Sequence, residues 1–400
     1  MKKNKLTNIL LLLSFVVLIF GSGYKIGEYK SRFVSFSPTA NNQQQNINFD
    51  LFWETWNKLQ ERYVDQKKLD PKKMYLGAIR GMVASVEDPY TFFLTPDENK
   101  QTKDDLGGKF EGIGAQLGLK DSRIIIIAPL KKSPAELAGA KPGDYIIKVD
   151  GASTEKWTLS QAVSKIRGPK NTKVKLTLER NGKEIEMTIV RQQIVIESVE
   201  LSFEKKIAVL KVNQFGDNTN DEWNKAVESI ASKWSTKQVT GLVLDLRDNP
   251  GGYLDSSVYL ASEFLNIGDI VVKQEAPLYG DKEYRVSRIG LLKEIPIVVL
   301  INKGSASASE ILAGALRDHK RAQLVGEKSF GKGSVQEALD LKEGAGLHVT
   351  VAKWVLPNGD WINGKGIDPK INIVNDIKEG NTITKETDKQ LEKAIELLTK

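Results

Sequence analysis

Two nearly continuous apolar runs, GLVLDLR starting at Gly241 and IPIVVLIN starting at Ile295, stop abruptly on glycines and small polar residues. Such strands are buried, and a glycine-rich end leaves backbone N–H groups at the rim of a sheet, where they can donate to an anion. KIAVLKV and RAQLVG add two more strands, and helix candidates alternate with them at Asp221 to Trp234, Leu254 to Phe264 and Ala308 to Arg317. Residues 193–375 therefore form an α/β region, closed by a β-rich stretch with a hairpin around Lys342 to Gly346.

The pattern upstream differs. From about Phe110 to Val190, GIGAQLGL, RIIIIAPL, DYIIKVDG, KVKLTLER and EIEMTIV alternate with turn residues, and one helix is predicted at Leu159 to Ile166. Earlier still, Phe52, Trp53, Trp56, Leu59 and Tyr63 recur at helical spacing, as do Leu76, Ile79, Met82 and Val83. The aromatic stripe is expected to be core. The expected divisions are a targeting segment at 1–30, a polar linker at 31–48, a helical region at 49–105, a β module at 106–192, the α/β core at 193–375 and a C-terminal helix at 376–400. That last helix carries Leu391, Ala394, Ile395 and Leu398 on one face, which suits packing on the protein or on a second subunit as a homodimer.

The 400 residues include no cysteine and two histidines, His319 and His348, which excludes disulfide frameworks, thiol catalysis and paired-His metal motifs. The net charge of +7 would raise the question of nucleic acid, but residues 1–32 supply +5 of it. There, nineteen uncharged residues lie between Lys5 and Lys25, with the apolar run Ile9 to Phe20 behind Lys2, Lys3 and Lys5. This reads as a membrane-targeting segment with a cytoplasmic N-terminus, either an uncleaved single-pass anchor or a signal peptide cut near Gly21 to Gly23. No Ala-x-Ala site is present, which favours the anchor. Either outcome places the remainder outside the cytoplasm, in a periplasmic or extracellular space, and secreted if the segment is cut.

Three places have the residue types for chemistry. In GLVLDLRDNPGG, the strand runs through Asp245 and Arg247 into Gly251 and Gly252, either as anion-binding N–H groups or as a plain tight turn. In NKGSASASEILAGAL, small residues suit a sharp strand-to-helix corner that projects a serine, and Ser305, Ser307 and Ser309 compete for the role. Ser307 with Glu310 also matches a capping box, which would make Ser307 a structural cap. In GEKSFGKGSVQ, Lys332 stands between Gly331 and Gly333, either as a solvated turn lysine or as a buried base whose pKa is pushed down toward neutrality. Gln336 could orient its amine without restoring its charge.

Two further patterns fail on inspection. Gly326 to Lys332 fits a phosphate-binding G-x-x-x-x-G-K, but Gly333 stands where a Ser or Thr must hold magnesium, and the acidic strand precedes the loop. Ser153 to Lys156 matches S-x-x-K, yet it lies in a polar turn without the accompanying S-D-N and K-T-G motifs.

Taken in order, DPYTFFLTPDE (Asp88 to Glu98), SPAELAGAKPGDYIIKVDG (Ser133 to Gly151), GLVLDLRDNPGG, GSASASEILAGAL, FGKGSVQ and LPNGDWINGKGIDP resemble the C-terminal processing peptidases, or tail-specific proteases. The resemblance implies a mixed α/β, multidomain protein: an N-terminal helical segment, an inserted PDZ module and a protease core of the crotonase/Clp-like type with a β-rich C-terminal part. It implies Ser307 as nucleophile, Lys332 as base and Gln336 as its support, overturning the capping-box reading. The oxyanion would be held by the N–H groups of Ala308 and of Gly251 or Gly252, Gly252 being the expected one. No metal and no cofactor are implied.

For the PDZ module, the resemblance implies that a substrate's free C-terminus adds to the strand after Gly112-Ile113-Gly114-Ala115. Its last side chain would lie near Leu117, Val163 and Ile166, whose ordinary role is core packing, and Arg167 is a candidate link between ligand state and protease. Lys370 departs from the family pattern, where an acid is expected after Pro369. The expected function is an exported serine endopeptidase, membrane-associated through its first residues, which cleaves proteins with exposed apolar C-termini. The rival is a catalytically inactive PDZ adaptor or chaperone.

Overall fold

The computed structural model describes residues 47–130, 132–375, 384 and 386–399. The predicted targeting segment and nearly all of the polar linker lie outside the described residues. Among the described residues, no helix is long and apolar enough to cross a membrane.

The chain divides into residues 1–73 and 74–400. In the first unit the helix Asp50–Arg62 buries none of its residues. The expected core stripe is not one: Trp53 is 55% exposed, and Phe52, Trp53 and Trp56 pack on each other with ring centroids 5.1 to 6.1 Å apart. The described remainder of this unit includes the 3-10 turn Gln66–Lys68 and the start of the next helix, too little surface to cover it.

In the second unit, a helix that apolar periodicity did not announce spans Pro96–Leu106. Its start is a capping box, with Thr95 N–H donating to Glu98 Oε2 at 2.9 Å and proline at the first helical position. The chain then enters and leaves the β module on one antiparallel ribbon, from Lys109↔Val195 to Gly112↔Gln192. Within the module the sheet order is Ala115–Lys120, Arg123–Pro129, Tyr145–Val149, Lys173–Arg180, Lys183–Val190, all antiparallel, and the short strand Ala152–Ser153 pairs beside Tyr145–Val149. Ala115–Lys120 is an edge strand, paired on one side and lying near the helix Leu159–Ile166.

The α/β core holds a six-stranded sheet in the order Val199–Glu204, Ile207–Val212, Gly241–Asp245, Ile297–Ile301, Gln323–Gly326, Ile371–Asn372. The first pair is antiparallel and the others parallel. The apolar runs are continuous because both faces are covered. Leu242, Leu244, Val299 and Leu324 pack with the helices Thr219–Ser235, Leu254–Ala261 and Ala308–Asp318. Val243, Val298, Leu300 and Val325 meet Leu391, Ala394, Ile395 and Leu398 of the C-terminal helix Lys389–Thr399. That helix therefore packs on its own chain.

A second, antiparallel sheet is organised by the long strand Gly346–Val355. Phe92–Leu94 pairs along one edge, Ser334–Asp340 along the other, with Thr350 opposite Gln336. This β-rich stretch and its turn at Lys342–Gly344 form the hairpin predicted there.

Candidate active site

The loops that leave Gly241–Asp245, Ile297–Ile301 and Gln323–Gly326 all emerge at the carboxyl ends of neighbouring parallel strands, where open α/β sheets place their ligands. They carry the three motifs singled out in the sequence.

The three hydroxyls of the serine corner differ in their surroundings. Ser305 and Ser309 are fully buried, and their Oγ atoms donate to the carbonyls of Leu246 at 2.8 Å and Asn249 at 2.9 Å. Both are structural. Ser307, between them, is half-buried with φ 55° and ψ −114°, a left-handed conformation that costs a non-glycine residue about 1–3 kcal/mol. Such strain is what a nucleophile elbow requires to lift its hydroxyl off the helix end. Of the capping box, the glutamate half is well formed, with Ser307 N–H donating to Glu310 Oε2 at 2.9 Å. The reciprocal half is present as well, with the Glu310 amide facing the Ser307 side chain, although that amide's short hydrogen bond closes on the Ser307 carbonyl at 2.8 Å.

The glycine corner lies directly against it. A Cβ on Gly251 would come within 2.8 Å of Ser307 Cβ, and one on Gly252, at φ 137°, would strike the Phe215 carbonyl oxygen at 2.1 Å. The two glycine N–H groups differ in their engagement. Gly251 N–H donates to Asn249 Oδ1 at 2.9 Å, whereas those of Gly252 and Ala308 have no hydrogen-bond partner among the described residues. Asn249, which the sequence did not single out, is fully buried and brackets this corner. Its Nδ2 donates to the Val212 carbonyl at 2.7 Å, and its own carbonyl accepts from Ala306 N–H at 3.0 Å.

The lysine loop is joined to the serine corner by Glu310, which is 0% exposed. Its Oε2 accepts from the N–H groups of both Ser307 (2.9 Å) and Lys332 (3.0 Å), and its Oε1 accepts from Gly331 N–H (2.7 Å) and Ser329 Oγ (2.6 Å). Burial pushes the Glu310 carboxyl above its ordinary range, while these donors oppose the rise. Gly333 is pinned by Asn363 Oδ1, which accepts its N–H at 3.1 Å, and by Trp361, whose indole N–H donates to its carbonyl at 2.9 Å. Burial lowers the pKa of Lys332, with Asp88 and then Glu310 acting the other way. Its side chain and the Ser307 hydroxyl are not hydrogen-bonded to one another.

Gln336 does not reach Lys332 by a hydrogen bond; its Nε2 donates to Ser334 Oγ at 2.8 Å and Thr350 Oγ1 at 3.3 Å. A buried Arg247 joins the end of the Gly241–Asp245 strand to the C-terminal helix, pairing with Asp245 and Asp388 at 2.7 Å each and with Gln390 at 3.0 Å. In the β module, Ile113 and Ile166 are core residues, whereas Ala115, Leu117 and Val163 are half-buried. Gly112 ends the entry ribbon, and the Gly114 carbonyl accepts from Leu130 N–H at 2.9 Å. Arg167 pairs with Asp105 at 2.8 Å and lies over the Phe110 ring at 4.6 Å, within a cavity of about 280 Å³ on the module's flank.

A strained serine corner, unpaired N–H groups beside it and a desolvated lysine on the next loop are the parts of a serine-nucleophile enzyme built on an α/β sheet. Comparison with known proteins agrees. Residues 206–373 match peptidase family S41, residues 98–179 a PDZ domain and residues 23–98 the activating protease CtpB N-terminal domain. The carboxy-terminal processing protease CtpB of Bacillus subtilis (strain 168) is 39% identical over 330 residues, 81% of this chain and 67% of that protein. A CtpA-like serine protease of Staphylococcus haemolyticus (strain JCSC1435) is 42% identical over 311 residues, 77% of this chain and 61% of that protein. The solved photosystem II D1 C-terminal processing protease matches with a TM-score of 0.53 and 28% identity, covering 88% of this chain and 97% of that one. The chain belongs to the carboxy-terminal processing serine proteases of peptidase family S41, with a PDZ domain. It spans 61 to 67% of the length of these two curated relatives.

Proposed function

We propose that the chain is an exported serine endopeptidase that uses a Ser-Lys dyad to cut proteins near their C-termini. Neutral Lys332 takes the proton of Ser307 Oγ, which attacks a peptide carbonyl to give an acyl-enzyme that water then hydrolyses. The oxyanion is held by the N–H groups of Gly252 and Ala308; losing one such donor typically costs about 3–4 kcal/mol of transition-state stabilisation. The observation that carries this reading is the serine corner: of three serines, Ser307 alone has a strained backbone, and it alone does not donate its hydroxyl to a buried carbonyl.

The substrate's tail would add to the open edge of Ala115–Lys120, with its last side chain between Leu117 and Val163. Gln336 supports Lys332 from the same strand system, Arg167 relays the state of the PDZ domain, and the apolar segment at Ile9 to Phe20 carries the catalytic part out of the cytoplasm. The test compares the full chain with Ser307→Ala and Lys332→Ala on an unfolded protein with an apolar C-terminus. Cleavage surviving either substitution would sink the dyad. Tail binding without cleavage by the parent would make the chain a PDZ adaptor.

A further inference from the structure

Lys332 is met by a loop that the dyad reading leaves unused. The Tyr90 ring centroid lies 5.1 Å from Lys332 Nζ, within the range of a cation–π contact. Asp88 shapes the loop by accepting from Tyr90 N–H at 3.0 Å and from Thr91 Oγ1 at 2.7 Å. Thr91 Oγ1 in turn accepts from Thr350 N–H at 3.0 Å, and Phe92 pairs with His348 on the same strand. That strand holds Gln336 opposite Thr350 on its other edge, so the loop and the chain leaving Lys332 are fixed to one scaffold. The position of Tyr90 over the lysine is thus built from both sides.

We infer that the loop Asp88–Thr91 belongs to the working site: the Tyr90 ring, seated by the hydrogen bond that Tyr90 N–H gives to Asp88, positions the Lys332 ammonium and, with the Asp88 charge, sets the pH at which the enzyme gains its base. The inference rests on the Ser-Lys reading. Four groups act on the Lys332 charge. Asp88 from this loop and Glu310 from the nucleophile helix are negative, and the Tyr90 ring presents its electron-rich face; all three favour the ammonium. His348 faces it from the strand Gly346–Val355, its pKa lowered by burial and then by the lysine's charge. Burial is the largest influence on Lys332 and favours the neutral amine. Tyr90 and Asp88 oppose that influence, so removing either lets the amine lose its proton at a lower pH.

The acidic limb of kcat/KM reports the free enzyme's base. It is measured on the full chain, with an unfolded protein bearing an apolar C-terminus, from about pH 5 to about pH 10. Tyr90→Leu and Asp88→Asn should each move that limb down by about half to one pH unit, and Tyr90→Phe, which keeps the ring, should leave it at the parent's midpoint. An unmoved limb with a uniformly lower rate would make the loop merely structural and overturn the inference, as would an upward shift. Should Tyr90→Leu fail to fold, Asp88→Asn gives the same reading, because asparagine retains an acceptor for Tyr90 N–H. A Lys332→Ala variant that keeps the parent's rate and limb would instead remove the dyad itself, a separate result.

Discussion

The serine corner and the edge of the PDZ sheet both leave backbone groups open, but they are built in opposite ways. At the corner, most of what surrounds Ser307 is committed, Ser305 and Ser309 to carbonyls, Gly251 to Asn249 and the Lys332 amide to Glu310, and the N–H groups of Gly252 and Ala308 are left open. At the sheet edge, Ala115–Lys120 keeps ordinary strand pairing with Arg123–Pro129, and half-buried Leu117 and Val163 stand beside it. The first site depends on a few fixed atoms and tolerates little. In the proposed reading the second would spread recognition over a regular strand and a shallow apolar wall, so single changes there should be mild.

The largest expected effect separates the three serines. Ser307→Ala should lower kcat by at least about 10⁴-fold, since removing the nucleophile of such a unit leaves only binding and oxyanion stabilisation. Ser305→Ala and Ser309→Ala should cost about 1–2 kcal/mol of stability each, the loss of a buried hydrogen bond, with activity retained in the folded fraction. Steady-state kinetics alongside denaturant unfolding would show both. Equal losses at the three positions would mean that the corner has no privileged hydroxyl.

Next in size is Glu310→Gln. Each carboxylate oxygen accepts two donors, and an amide cannot supply both, because its NH₂ would confront either the Ser307 and Lys332 N–H groups or Gly331 N–H and Ser329 Oγ. Stability should fall by about 1–3 kcal/mol, and kcat by about 10²-fold in the folded protein, because the Ser307 and Lys332 loops lose their common anchor. Unchanged kcat with lowered stability would reduce Glu310 to a structural role.

Glu310 also marks where the sequence stops being legible. Its spacing from Ser307 announces a capping box, and that box forms; the same carboxylate also gathers Ser329, Gly331 and Lys332 from about twenty residues further on. No local pattern encodes that reach. The strands, the two corners and the helix Leu159–Ile166 were readable because apolar runs and turn glycines are local signals. The helix Pro96–Leu106 escaped because it buries one residue, Asn99, and so has no apolar period, although its T-P-D-E start was in plain view. The placement of Tyr90 over Lys332 and the engagement of Gln336 with Thr350 follow from strand register in the second sheet, which depends on pairings between distant segments.

The smallest effect tests the sheet edge. Val163 lies on the helix Leu159–Ile166, half-buried beside an open strand, whereas Ala162 and Ile166 on the same helix are core. Val163→Ala removes two methyl groups' worth of apolar contact from a bound tail, about 1 kcal/mol by area, and should raise KM about three- to tenfold for a substrate with an apolar C-terminus while leaving kcat in place. Amidating that substrate's C-terminus removes the carboxylate that the loop N–H groups would hold, so parent and variant should then converge on one KM. Ile166→Ala should differ in kind, with a loss of module stability of about 2–5 kcal/mol, because that side chain is packed inside the core. If Val163→Ala destabilises the module as much and leaves KM unchanged, the wall beside the strand is core surface and the tail is held elsewhere.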